Sequence, residues 1–322
     1  MMGAHENNRA ARRRTLGLLF AGAVAGALPS ARAEARQTIR IGYQKYGTLT
    51  LLKGRGTLEA RLAGKGIAVQ WTEFPAGPQL LEGLNVGSVD FGTVGEAPPI
   101  FAQAAGANLV YVGYEPPSPR SEAIVVPRNS PLNSVAQLKG KKVALNKGSN
   151  VHYLLLRALE KAGLAYADIT PVYLPPSDAR AAFQRGAVDA WVIWDPFFAA
   201  AEKQLGARVL ADGTGLVSNH QFYLAARGWA QQNPELVRTV IDEVAKVDEW
   251  GAAHPDDVSA LLATQTGLPL PVVTLATSRY SFGVKPVSAD VLREQQKIAD
   301  AFAALKLIPK PIAIKDAVLA SR

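Results

Sequence analysis

The amino-acid sequence predicts an α/β protein of two lobes. Each lobe carries a mostly parallel sheet, the second is inserted into the first, and a ligand cleft with a two-strand hinge lies between them. Three observations predict this. Short apolar segments with strand periodicity alternate with segments of helical periodicity. The alternation runs once from Thr38 to Tyr114 and restarts at Lys142. From Pro234 onward the chain reads as helical, with no sheet of its own, so these helices are expected to return and cover the first lobe.

Each element has its own reason. Thr38–Tyr43 alternates with period two and reads as a strand. Leu49, Leu52, Leu58 and Leu62 recur at near-helical spacing, which predicts one helix over Thr48–Leu62. Ile67–Phe74 is the next strand, and Pro78 near a first turn starts a short helix to Leu84. A strand over Asp90–Val94, a helix from Glu96 to Ala105 and a strand over Leu109–Tyr114 complete the first pattern. The second pattern has strands at Lys142–Leu145, Pro171–Leu174, Asp189–Ile193 and Arg208–Leu210. Its helices are Val151–Lys161, Ala179–Gln184 and Phe197–Gln204. Two extended segments flank it, Ala123–Val126 and Gln221–Ala225, and these are the expected crossovers. Helices over Leu236–Trp250, Pro255–Thr266 and Ala289–Leu305 follow. Lobe one is then residues 34–122 plus 226–322, and lobe two is residues 123–225. The competing arrangement is two sequential domains joined by one linker.

The 322 residues carry a formal charge of +8, which at first suggests a nucleic-acid partner. The charge is placed unevenly. Arg9, Arg12, Arg13 and Arg14 precede an uncharged apolar run from Leu16 to Leu28, and a small-x-small site ends at Ala33. That is the pattern of a cleaved export signal over residues 1–33, too short to span a membrane. Arg13-Arg14-Thr15-Leu16 suggests the twin-arginine route, with an ordinary Sec signal as the alternative. Residues 1–33 hold five of the 35 basic and one of the 27 acidic residues, so a net +4 remains beyond them. No basic cluster of five or more residues and no aromatic-interleaved basic motif survives, which argues against nucleic acid. The absence of cysteine excludes disulfides and thiolate metal sites.

In open α/β sheets ligands bind beyond the carboxyl ends of the strands. The turns at those ends are Gln44-Lys45-Tyr46-Gly47-Thr48, Gly95-Glu96-Ala97-Pro98-Pro99, Asn146-Lys147-Gly148-Ser149-Asn150-Val151-His152 and Trp194-Asp195-Pro196-Phe197. Each leads into a helix, whose first N–H groups lack internal partners and carry partial positive charge. Pointed into a cleft, they bind an anion without a counter-charge. Gly95 and Gly148 stand at equivalent places and would let a ligand approach the backbone of both lobes. Ser149 and Asn150 add side-chain donors, or one of them caps the helix. Lys45 is a fixed cation or a solvated surface lysine. Trp194 is an apolar wall or a core residue. Asp195 caps its helix, pairs with a cation or accepts from an amine. Glu96 complements a helix dipole or holds a positive group, and His152 faces either cleft or core.

Little points to catalysis. His5, His152, His220 and His254 are scattered, and no metal-ligand cluster, nucleophile elbow or phosphate loop is present. No metal and no cofactor are expected.

Four stretches, IRIGYQKYGTL, VGEAPPIFAQAAGANLVYV, LKGKKVALNKGSNVHYLL and VDAWVIWDPF, together resemble the aliphatic-sulfonate-binding proteins of bacterial ABC importers. Parts of them also occur in relatives that bind taurine, nitrate or pyrimidine precursors. The resemblance implies the type II periplasmic-binding-protein fold, a periplasmic location, capture of a sulfonate and delivery to a permease in the inner membrane, by a monomer. It implies a pocket of Gln44, Lys45, Gly95, Glu96, Ala97, Gly148, Ser149, Asn150, Val151, His152, Trp194 and Asp195, with Arg279 and Tyr280 from the C-terminal part. Tyr46 and Trp194 would supply the wall for the organic group. Glu96 and Asp195 would suit a ligand with an added amine. An enzyme on this fold, a dehydratase or a pyrimidine synthase, is the reading from another class, and the export signal argues against it.

Overall fold

The computed structural model describes residues 37–319. The export-signal reading of residues 1–33 lies outside the described residues. Strand β1 is Thr38–Tyr43. The single helix expected next is two, α1 (Thr48–Arg55) and α2 (Thr57–Ala63). Gly56 breaks it by taking a left-handed conformation, φ 65°, and donating its N–H to the Leu52 carbonyl. Glycine adopts this helix-ending conformation without a Cβ penalty. Leu49, Leu52, Leu58 and Leu62 are all fully buried, so the periodicity reported the buried face correctly across the break.

Next come β2 (Ala68–Glu73), α3 (Gly77–Asn85), β3 (Phe91–Gly95), α4 (Pro98–Ala104) and β4 (Leu109–Tyr114). Then follow β5 (Glu122–Val126), β6 (Lys142–Leu145), α5 (Asn150–Lys161), β7 (Thr170–Tyr173) and α6 (Pro176–Gln184). After these are β8 (Ala190–Trp194), α7 (Phe197–Leu205), β9 (Arg208–Asp212) and β10 (Gln221–Ala226). The C-terminal helices are α8 (Arg227–Gln232), α9 (Pro234–Ala253), α10 (Pro255–Thr266), α11 (Leu270–Thr277) and α12 (Ala289–Ala304).

The strands form two five-stranded sheets, ordered β2-β1-β3-β10-β4 and β7-β6-β8-β5-β9. Both are mixed. β1 pairs in parallel with β2 and β3, and β6 with β7 and β8, but β10 and β5 run antiparallel to both of their neighbours. The reversed strand is fourth in each sheet, and it is one of the two crossover segments. The reason is geometric. β4 ends at the carboxyl edge of the first sheet, and residues 115–121 are too few for a parallel return, which needs a dozen or more. The chain therefore enters the second sheet at its carboxyl edge and runs back through it, and β10 re-enters the first sheet in the same way.

Helices cover both faces of each sheet. On one face of the first, Ile39, Ile41 and Phe91 pack with Leu49, Leu58, Val240, Val244 and Val258 from α1, α2, α9 and α10. On the other, Val94 and Leu224 pack with Leu80, Ile100, Ile298 and Phe302 from α3, α4 and α12. The second sheet lies between α5 on one face and α6 and α7 on the other.

The C-terminal part is not wholly helical. Residues 278–288 are irregular, and Lys285 exchanges two backbone hydrogen bonds with Tyr114. This segment carries Arg279 and Tyr280 to the carboxyl edges of the sheets.

Candidate functional site

A cavity of about 70 Å³ lies where the carboxyl ends of the parallel strands of the two sheets face each other. Gln44 and Tyr46 after β1 and Gly95 at the end of β3 line it from the first sheet. Ser149 and Asn150 at the start of α5, and Trp194 and Asp195 after β8, line it from the second. Tyr280 closes a third side. Lys45, Glu96, Ala97, Gly148, Val151, His152 and Arg279 are not among its lining residues.

Four helix starts point toward this region, and they differ in what they offer. α1 begins after Gly47, at φ 88°, with no side-chain cap. α5 begins after Ser149, whose hydroxyl donates to the Asn146 carbonyl at 2.7 Å and does not cap the helix. The leading N–H groups of α1 and α5 therefore keep their charge for another acceptor. α4 offers much less. Pro98 and Pro99 occupy its first turn and have no N–H, and the Ala97 N–H donates to Asn150 Oδ1 at 3.1 Å. α7 is capped, because Asp195 Oδ1 accepts the Ala199 N–H at 2.9 Å. Capping is thus one realised role of Asp195, and the anion-binding capacity rests on α1 and α5.

Among the described residues no lysine or arginine lines the cavity. Lys45 is half-exposed and 3.7 Å from Glu73. Arg279 is buried against Glu202 at 2.5 Å and Asp195 at 3.4 Å, with its guanidinium 4.0 Å from the Phe198 ring centre. Burial pushes the Asp195 carboxyl up to about 7, opposed by Arg279. The walls are aromatic. Tyr46 and Tyr280 meet edge to face at 5.3 Å, and the Tyr46 hydroxyl is engaged with the Ala276 carbonyl at 2.7 Å. Trp194 stands edge-on to Phe197.

The remaining expected residues have structural surroundings. Gly148 takes φ +76°, and a Cβ there would come 3.2 Å from Phe101. His152 faces the core. Its Nδ1 accepts the Gly148 N–H at 3.3 Å, its Nε2 meets the Tyr166 hydroxyl at 3.0 Å, and burial lowers its pKa to about 4. Val151 and Ala97 are fully buried. Glu96 Oε2 accepts the His220 N–H at 3.0 Å, and the side chain lines a separate cavity with Tyr153, His220 and Glu294. Burial pushes Glu96 up to about 7 as well.

Other lining residues were not expected. Asn219, at φ 51°, holds the two connections between the sheets together by donating to the Ser118 carbonyl at 2.9 Å and the Ser121 hydroxyl at 3.0 Å. Asn150 Nδ2 in turn donates to Asn219 Oδ1. An unbroken chain therefore runs from the Ala97 N–H through Asn150 and Asn219 to Ser118 and Ser121. Ser121, Asn219 and Gln221 sit on the crossovers, which no strand-to-helix turn marks. Thr93 lies inside β3 and carries no sequence signal. Gly47 and Pro98 lie within two of the expected turns, and Gly77 opens α3 outside them. Among the described residues no group of three or more His, Asp or Glu is placed to hold a metal, and no helix is long and apolar enough to cross a membrane.

Residues 62–258 match the family model described as NMT1/THI5 like. The chain is 50% identical over 284 residues to a protein of Escherichia coli (strain K12) named an aliphatic sulfonates-binding protein, covering 88% of each sequence. Among solved structures, the alkanesulfonate-binding protein SsuA from Xanthomonas axonopodis pv. citri, bound to MOPS, superposes with a TM-score of 0.84 at 45% identity, covering 88% of this chain and 98% of that one. The periplasmic aliphatic sulphonate binding protein SsuA from Escherichia coli superposes with a TM-score of 0.80 at 49% identity, covering 89% and 93%.

Proposed function

The chain belongs to the NMT1/THI5-like family, among its aliphatic-sulfonate-binding members, and from that premise we propose that it captures aliphatic sulfonates in the periplasm and delivers them to an ABC permease. The observation that carries this reading is the pair of uncapped helix starts, α1 and α5, facing one cavity that, among the described residues, no lysine or arginine lines. A sulfonate is a monoanion throughout the physiological pH range, with three acceptor oxygens spread over a tetrahedron. Aimed amides suit such a diffuse single charge, and they exert no pull toward a dianion. Tyr46, Trp194 and Tyr280 would take the organic group.

The two acids fit this reading without an amine on the ligand. Asp195 is engaged by Arg279 and by α7, and Glu96 is turned to His220 in another cavity. An ordinary alkanesulfonate therefore accounts for the site with no amine required on the ligand. We take residues 37–114 with 221–319 as one lobe and 122–212 as the other, because β10 belongs to the first sheet and Glu122 to the second. The connections 115–121 and 213–220 form the hinge about which they close. Binding would select the closed form through contacts made only there. The protein acts as a monomer that presents both lobes to the permease, and catalysis plays no part.

Titration calorimetry on protein lacking residues 1–33 tests the reading. Methanesulfonate, ethanesulfonate and MOPS should bind, and nitrate and sulfate should bind far more weakly. Heat with nitrate or a pyrimidine alone would overturn it.

A further inference from the structure

Arg279 is a buried cation paired with Asp195, which lines the cavity, and its surroundings assign it a role other than holding the ligand. Its Nη2 donates to Glu202 Oε2 at 2.5 Å, its Nη1 lies 3.4 Å from Asp195 Oδ2, and its guanidinium sits over Phe198. All three partners belong to α7 and the turn before it, the part of the second sheet's layer that carries the Trp194–Asp195 wall. The chain on the other side of Arg279 is tied elsewhere. The Ser281 N–H donates to Ser118 Oγ at 2.9 Å and the Ser281 hydroxyl to the Pro117 carbonyl. The Val284 N–H donates to Asp248 Oδ2, and Lys285 pairs with Tyr114. Tyr280, next to Arg279, lines the cavity. Beside the apolar packing of Val272 and Ala276 on Ala199 and Ala200, this side chain supplies the polar link between the aromatic wall at Tyr280 and the wall at Trp194.

We propose that Arg279 is a positioning residue: its ion pair with Glu202 and Asp195 clamps the Trp194–Asp195 wall against the Tyr280 wall, and so sets how long a sulfonate stays bound. The inference rests on the sulfonate-binding reading above. Arg279 and Asp195 are nine-tenths or more buried, and Glu202 is 24% exposed, so water screens this pair far less than a surface pair. Its guanidinium is already engaged by two carboxylates, which reduces its attraction for a further anion. The clamp forms only after the two walls have met, so it resists opening without assisting the encounter.

The test measures binding kinetics of ethanesulfonate and ligand-free melting temperature for wild type, Arg279→Gln, Arg279→Lys and Glu202→Gln. Loss of a buried charge-assisted hydrogen bond predicts affinity about tenfold to a hundredfold weaker in Arg279→Gln. The loss should lie in a faster dissociation rate, with the association rate and the ligand-free melting temperature nearly unchanged. Glu202→Gln should weaken binding in the same manner, and Arg279→Lys should recover part of the affinity. If Arg279 instead holds the sulfonate, Glu202→Gln frees it and binding stays equal or tightens, which overturns the clamp. Lower melting temperatures with wild-type affinity overturn it too, because the pair would then be structural only. Wild-type protein that binds no sulfonate overturns the functional reading itself, a result distinguishable from a clamp failure in protein that does bind.

Discussion

Replacing Gly95 by alanine should separate binding from folding. A Cβ at Gly95 would lie 2.1 Å from both terminal atoms of the Asn150 side chain and 2.2 Å from its Cγ, well inside any real contact. Asn150 has nowhere easy to go, because Oδ1 accepts the Ala97 N–H and Nδ2 donates to Asn219. Moving it leaves a buried N–H and a buried carbonyl oxygen unpartnered, at about 1–3 kcal/mol each, and some relaxation puts the sum at about 2–4 kcal/mol. That corresponds to about thirtyfold to a thousandfold in affinity. The two sheets can avoid the clash by staying apart. The ligand-free protein should therefore melt at or slightly above the wild-type temperature, since alanine restricts the unfolded chain by about 0.4–1 kcal/mol. Calorimetry with ethanesulfonate reads the affinity, and small-angle scattering with ligand reads the separation. Asn150→Ala removes the obstructing side chain, so Gly95→Ala should add almost nothing on that background. Wild-type affinity and wild-type scattering for Gly95→Ala alone would refute the reasoning, for Asn150 would then not sit against Gly95 when ligand is bound.

Three other outcomes are expected. Glu122 is fully buried with neither carboxylate oxygen partnered, and burial together with Glu96 holds its pKa well above the ordinary value of 4.5. At pH values below that both folded and unfolded chains keep the proton; above it the unfolded chain releases it first, so stability is lost as pH rises. Glu122→Gln should then raise the melting temperature at pH 8 and leave it nearly unchanged at pH 4, and a lower value at pH 8 would contradict this. Ser149→Asp should place a negative charge at the start of α5 and remove most sulfonate binding; a folded variant that binds normally would detach α5 from the site. Lys45→Ala should change affinity less than about threefold, as the exposed pair with Glu73 contributes little, and calorimetry showing a larger loss would return Lys45 to the site.

Much of this architecture can be read from the chain because burial writes itself into spacing. β1 and the leucines of α1 and α2 follow their buried faces. The direction of β5 and β10 is not written in their own residues, which are extended and apolar in either sense. It follows from the shortness of the connections before them. At the site, glycine and serine mark the helix starts, yet which start remains free depends on small local choices. Ser149 turns back to Asn146, and Asp195 turns forward to Ala199. Two adjacent prolines at Pro98 and Pro99 were a legible warning that α4 is poor in donors. Arg279 and Asn219 act through partners 77 and 69 residues away, Glu202 and Asn150, which no local pattern reveals.

The central claim is that helix-start amides, not a fixed cation, hold the anion. Amide NMR shifts on titration with methanesulfonate test it most directly. Large downfield shifts are expected at Thr48, Leu49, Asn150 and Val151, with the Lys45 and Arg279 side-chain signals little changed. Unmoved helix-start amides beside a shifted lysine or arginine side chain would contradict it.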